Sequence, residues 1–264
     1  MQKGFLEHLK SYSLFLFTAL DLMVSGVIAI FIAIFKWDFR KPLYDWARSW
    51  SERTRKRFGI TYKLVGSENL PKEGGYLYLA NHQSMVEVVL LPIFMPDHLL
   101  FIGKKTIKWI PVFGLLWILS KQVFLDRYHH EKALKGMELA KRRLKEGFSI
   151  FLAPEGTRSK TGGLGTIKKG FFHLALQTQA PIVPITFVNA YNIQPKHSFF
   201  ITPGEVLIII DPPIDTSQWK PGEVEFRREE LRRVYQRNLN RYGSPGQRAP
   251  LEPPVYVADS KLQR

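Results

Sequence analysis

Residues 75–87 read GYLYLANHQSMVE. Gly75 to Ala80 are β-type residues, Asn81-His82-Gln83 form a polar turn, and a helical segment opens at Ser84 and runs toward Pro96. Strand, turn and helix in that order make the repeating unit of a parallel sheet. The unit recurs at residues 149–159, SIFLAPEGTRS, where the strand Ser149 to Ala153 enters a Gly-containing loop and Gly170 to Gln179 has helical character. Working outward, further strands are predicted at Tyr62–Val65, Leu99–Ile102, Val123–Leu125, Ile182–Val188 and Val206–Ile210. Between them, Leu134, Met137, Ala140 and Leu144 mark one face of a helix over Glu131–Glu146, and Gly147 stops it. Lys105 to about Ser120 reads as partly helical, interrupted at Pro111 and Gly114. The alternation predicts an α/β fold with a mainly parallel sheet flanked by helices, whose active site collects at the carboxyl ends of strands.

An apolar stretch precedes this body. Leu14 to Phe35, LFLFTALDLMVSGVIAIFIAIF, holds one charge, Asp21, and matches the roughly 20 residues needed to cross a bilayer core. Lys3 and Lys10 precede it, whereas Lys36, Arg40, Lys41, Arg48, Arg53, Arg55, Lys56 and Arg57 follow, which predicts a body on the cytoplasmic side. Asp21 is costly at a bilayer centre, and Val24-Ser25-Gly26 offers a place to bend. A membrane span and a re-entrant or interfacial helical hairpin therefore both fit. The chain divides into a membrane anchor with its basic flank over 1–58, the α/β domain over 59–243, and a loose tail over 244–264. The charged stretch Phe226 to Tyr242 reads as a solvated or membrane-facing helix.

The 264 residues carry a net charge of +15 with 45% hydrophobic content, so an anionic partner is expected beside a full core. Nineteen Phe and six Trp suit lipid better than nucleic acid, and no nucleic-acid motif is present. The absence of cysteine excludes disulfides, thiolate metal sites and a cysteine nucleophile. There is no Gly-x-Ser-x-Gly elbow and no His-Glu-x-x-His pair, which leaves serine and zinc hydrolases unsupported.

Three stretches carry chemistry. His82 at a strand end, with Glu87 five residues on, has the parts of a general base and its orienting carboxylate. Ser84-x-x-Glu87 is also a capping box, and the two roles are compatible. In Glu155-Gly156-Thr157-Arg158, Gly156 allows close backbone approach, Arg158 can fork onto a phosphate, and Glu155 can accept from a glycerol hydroxyl. Lys160, Lys168 and Lys169 add positive charge nearby. Arg127 ends the strand in Val123-Phe124-Leu125-Asp126-Arg127 and is a second phosphate candidate, and Trp109 to Leu119 is apolar enough for an acyl channel or a lipid-dipping face.

Taken in order, NHQS, GKK…WIPVFG…VFLDR, FLAPEGTRS and APIVPI resemble the 1-acylglycerol-3-phosphate acyltransferase family over roughly residues 60–190. The resemblance implies that His82 deprotonates the free hydroxyl of a lysophospholipid phosphate, that Arg127 binds glycerol phosphate, and that Glu155, Gly156, Thr157 and Arg158 bind the acceptor. Lys104 and Lys168 fall on basic positions typical of the family, and Pro184 lies in the block linked to the donor. It implies acyl-CoA or acyl-carrier protein as donor, membrane phospholipids as surroundings, and no cofactor, metal or covalent intermediate. One position departs: Glu87 stands where the family has Asp, longer by one methylene or about 1.5 Å. The expectation is an active enzyme with altered local packing. The competing readings are an enzyme for another lysophospholipid and a lipid-binding protein without turnover.

Overall fold

The computed structural model describes residues 5–126 and 129–248. The chain opens with two helices, α1 (Phe5–Phe35) and α2 (Lys41–Arg57), and enters the sheet at β1 (Ile60–Val65) and β2 (Leu77–Ala80). Next come α3 (Val86–Phe94), β3 (Leu99–Lys104), α4 (Phe113–Leu119), β4 (Val123–Leu125), α5 (His130–Lys145) and β5 (Ser149–Leu152). The last elements are α6 (Gly170–Thr178), β6 (Ile182–Val188), α7 (Ala190–Ile193), β7 (Gly204–Ile210) and α8 (Val224–Tyr242). The strands form one sheet in the order β1-β7-β6-β2-β5-β3-β4. All neighbours pair in parallel except β6 and β7, which are antiparallel.

β2 shows why the sheet is covered on both sides. Leu77 and Leu79 point to a core shared with α5, α6 and α8, while Tyr78 and Ala80 point to a core shared with α3. Successive side chains alternate faces, and all four are buried, as in a central strand of a parallel sheet. With β5 on one side and β6 on the other, the carboxyl end of β2 sits mid-sheet.

The structure departs from the sequence reading in four places. Gly114 lies inside α4 and does not interrupt it, because the break falls earlier, at Ile110 to Val112, and a Cβ on Gly114 would meet the Lys108 carbonyl. The charged α8 is not a solvated helix. Leu231, Tyr235 and Leu239, four apart, form a buried stripe, and the Tyr235 hydroxyl donates to the Leu79 carbonyl at 2.7 Å. The tail is not loose from residue 244, since Gln247 is buried and its Nε2 donates to Gln83 Oε1 at 2.9 Å; residues 249–264 lie outside the described part.

The fourth departure touches the hairpin alternative alone: α1 runs unbroken through Val24-Ser25-Gly26, as the span reading has it, and a reversal follows at Lys36 to Arg40. The hairpin is thus made of α1 and α2. Its pattern is inverted relative to a soluble helix: Thr18, Gly26, Ala29 and Ala33 face inward, and Leu16, Phe17, Val24, Ile28, Phe31 and Phe35 face outward. The small inward residues let α2 and α4 approach closely; a Cβ on Gly26 would stand 2.9 Å from Leu116 and Val112. Asp21 is satisfied from α2, with Arg53 at 2.9 Å and Arg57 at 3.0 Å. That pairing offsets most of the cost of a carboxylate in an apolar helix.

Candidate active site

β2 delivers His82 and β5 delivers Glu155 to the same edge of the sheet, because the two strands are parallel neighbours in register from Leu77 and Ile150 onward. Asn81 fastens the end of β2 to β6. Its Oδ1 accepts from the Phe187 N–H at 2.7 Å and its Nδ2 donates to the Phe187 carbonyl at 2.9 Å. The backbone of His82 is then held from the β5 side. Its N–H donates to Glu155 Oε1 at 2.7 Å, and its carbonyl accepts from the Ser159 N–H at 2.7 Å.

The imidazole meets Glu87, on the first turn of α3. His82 Nδ1 lies 2.6 Å from Glu87 Oε2, while Glu87 Oε1 accepts from the N–H groups of Gln83 and Ser84 at 2.6 and 2.7 Å. One buried carboxylate therefore closes the helix start and orients the histidine. Glu87 spans from α3 to the ring while keeping both backbone contacts. With Nδ1–H donating to Glu87, Nε2 carries the free lone pair, and it has no hydrogen-bond partner among the described residues. The His82 side chain is 22% exposed against 4% for Glu87, so the ring reaches solvent and its carboxylate does not. Such a pair can take a proton from an alcohol and stabilise the imidazolium that forms.

Glu155 is buried at the edge of the cavity, with both oxygens accepting from backbone N–H groups. Oε1 takes the His82 N–H and Oε2 takes the Gly165 N–H at 2.7 Å. A Cβ on Gly165 would fall 2.4 Å from that oxygen, so only glycine permits the contact. Burial pushes the carboxyl up to about 7, against the pull of the two N–H donors. Beyond it, Gly156 adopts a φ of +72°, with the Lys168 side chain lying over it.

Thr157, Arg158, Lys160 and Lys168 line a cavity of about 370 Å³, and Lys196 enters from the loop after α7. Lys169 belongs elsewhere, paired with Glu225 of α8. Lys104 ends β3, one strand beyond β5, outside the lining of this cavity. Arg127 lies outside the described residues. Sequence reasoning placed Asn81 in the turn without a role and passed over Gly165 and Lys196. Their partners are ten or more residues away in the chain, and no spacing rule marks them.

A histidine–carboxylate pair stands beside a cation-lined cavity at the carboxyl edge of an α/β sheet, and the family model described as Acyltransferase matches residues 61–188. A 1-acyl-sn-glycerol-3-phosphate acyltransferase of Saccharomyces cerevisiae is 32% identical over 234 residues, covering 85% of this chain and 76% of the yeast protein. One from Cocos nucifera is 35% identical over 160 residues, 60% of this chain, and the match spans about half (52%) of the coconut protein. The crystal structure of the 1-acyl-sn-glycerophosphate acyltransferase from Thermotoga maritima superposes with a TM-score of 0.79 at 25% identity, covering 89% of this chain and 95% of that one. The chain belongs to the 1-acyl-sn-glycerol-3-phosphate acyltransferase family.

Proposed function

We propose that the protein transfers a fatty acyl group from a thioester, on CoA or acyl-carrier protein, to the free hydroxyl of 1-acylglycerol-3-phosphate. The products are phosphatidic acid and the free thiol. The observation that carries this reading is the placement of the His82–Glu87 pair and the cation-lined cavity at adjacent strand ends, joined by Glu155. The acceptor's phosphate sits among Arg158, Lys160 and Lys168, with Thr157 as a neutral donor, and Lys104 at the end of β3 supplies further positive charge at the same edge of the sheet; Arg127, which the family resemblance assigns to glycerol phosphate, lies outside the described residues. Its hydroxyl then meets His82 Nε2. The hydroxyl oxygen attacks the thioester carbonyl as Nε2 takes its proton. The tetrahedral adduct collapses, the C–S bond breaks, and the proton passes from the imidazolium to the leaving thiolate. Glu87 holds the tautomer and the charge of the imidazolium throughout. The step uses only the two substrates and needs no cofactor, metal or covalent intermediate.

Glu155 acts by position, fixing the His82 backbone relative to the cationic loop. The 2.6 Å contact of His82 with Glu87 favours turnover over lipid binding alone, because the longer carboxylate reaches the ring. In this reading α1 lies along one leaflet, which its inverted pattern supports, and the basic residues of α2 support headgroup contact and a body on the cytoplasmic side. The test is transfer of a labelled acyl group onto lysophosphatidic acid by the detergent-purified protein with each donor. Labelled phosphatidic acid is expected; a folded protein that makes none from either donor overturns the reading.

A further inference from the structure

The loop between α7 and β7 lies beyond the residues that the family model matches. It brings Lys196 to the rim of the cavity, where Nζ donates to Thr157 Oγ1 at 3.0 Å. Arg158, Lys160 and Lys168 line the same space. Glu155 is the one carboxylate among the lining residues, and both its oxygens are occupied by backbone N–H groups. Four cations therefore face one cavity against a single carboxylate, which leaves a clear excess of positive charge. Such a field calls for more than one negative charge. A phosphomonoester carries about −1.5 to −2 near neutral pH, whereas a phosphodiester carries one charge.

The loop is built to hold Lys196 in place. Ser84 Oγ, two residues after His82, donates to the Gln194 carbonyl at 2.9 Å, and Gln194 Nε2 donates to the Ser198 carbonyl at 3.1 Å. His197, next to the lysine, holds a φ of +71°, a conformation that a non-glycine residue keeps only where its surroundings impose it. On its outer side the loop leans on α1: Ser11 Oγ donates to the Phe199 carbonyl at 3.0 Å, and the His8 ring stands edge-on to Phe200 at 4.6 Å. One short segment thus joins the apolar helix, the histidine turn and the cationic cavity.

We propose that Lys196 is a direct ligand of the acceptor's phosphate and sets a preference for a phosphomonoester over a phosphodiester headgroup. This rests on the acyl-transfer reading and deepens it. The contact with α1 favours a lipid headgroup as the source of the phosphate; the phosphates of CoA are the other source of the same chemistry.

The test uses the full chain in detergent with Lys196→Ala and Lys196→Arg. Equilibrium binding is measured for lysophosphatidic acid and for lysophosphatidylglycerol of the same acyl chain, and KM is measured for acyl-CoA and acyl-carrier protein. Losing a charged hydrogen bond is expected to weaken lysophosphatidic acid binding about 10- to 100-fold in Lys196→Ala. The diester should weaken less than about threefold, arginine should restore most of the affinity, and neither donor KM should move. Equal weakening of both lysolipids, or no weakening, overturns the assignment, as does a wild type that does not bind lysophosphatidic acid. A KM rise confined to acyl-CoA overturns it too and gives Lys196 to the donor. Binding is read without turnover, so a wild type that binds but does not transfer sinks the acyl-transfer reading alone.

Discussion

At the scale of single residues, Glu155 carries an unusual burden. It is a buried carboxylate, pushed up to about 7, in a place where its ionised form is needed to accept two backbone N–H groups. An unfolded Glu titrates near 4.5. Because the folded form holds its proton to higher pH, this group's contribution to stability is greatest below 4.5 and is lost as pH rises toward 7. At about 1.4 kcal/mol per unit, the swing is on the order of 3 kcal/mol. Glu155→Gln does not titrate, so the thermal stability of the wild type relative to this variant should fall between pH 5 and pH 8. A difference that stays flat across that range would remove the account of a strained, ionised clamp. Much of the site was legible at this scale. His82 and Glu87 are five apart and Arg158 follows Glu155 closely, so local spacing carried their chemistry. The hold of Glu155 on two backbone N–H groups and the arrival of Lys196 depend on contacts across the sheet, which no local pattern encodes.

Elements were legible where their periodicity was clean. β2, β5 and β6 announce themselves as short apolar runs, and α5 forms where its spacing predicts, although of the expected face Ala140 and Leu144 are buried, Met137 is half-buried and Leu134 is exposed. The reversal of β7 was hidden, because a strand's apolar pattern is the same whichever way it runs. α8 was obscured by its charges, although Leu231, Tyr235 and Leu239 repeat at intervals of four. That helix is tied to the site through Tyr235, whose hydroxyl reaches the Leu79 carbonyl three residues before His82. Tyr235→Phe should cost about 1 kcal/mol, or about 2–4 °C in Tm for a domain of this size. An unchanged Tm by calorimetry would mean that α8 does not anchor the end of β2.

For the whole molecule, two kinds of surface meet. α1 offers a membrane the large apolar residues that a soluble helix would bury, and α2 and the site loops carry much of the +15 charge. The apolar length of α1 was readable from composition, but its orientation was not. The Asp21–Arg53–Arg57 cluster, the packing of Gly26 on α4 and the contacts of His8 and Ser11 with the loop before β7 show that it lies along the body. In the proposed reading, the cationic cavity holds a lysophospholipid at the headgroup level and presents it to a histidine fixed at mid-sheet. The central claim is that this histidine removes the proton of the attacking hydroxyl. The most direct test is kcat for acyl transfer to lysophosphatidic acid by His82→Ala beside the wild type, with circular dichroism confirming that both are folded. Loss of a general base predicts a fall of about 10²- to 10⁴-fold; a folded variant that keeps more than about a tenth of the wild-type rate would contradict the account.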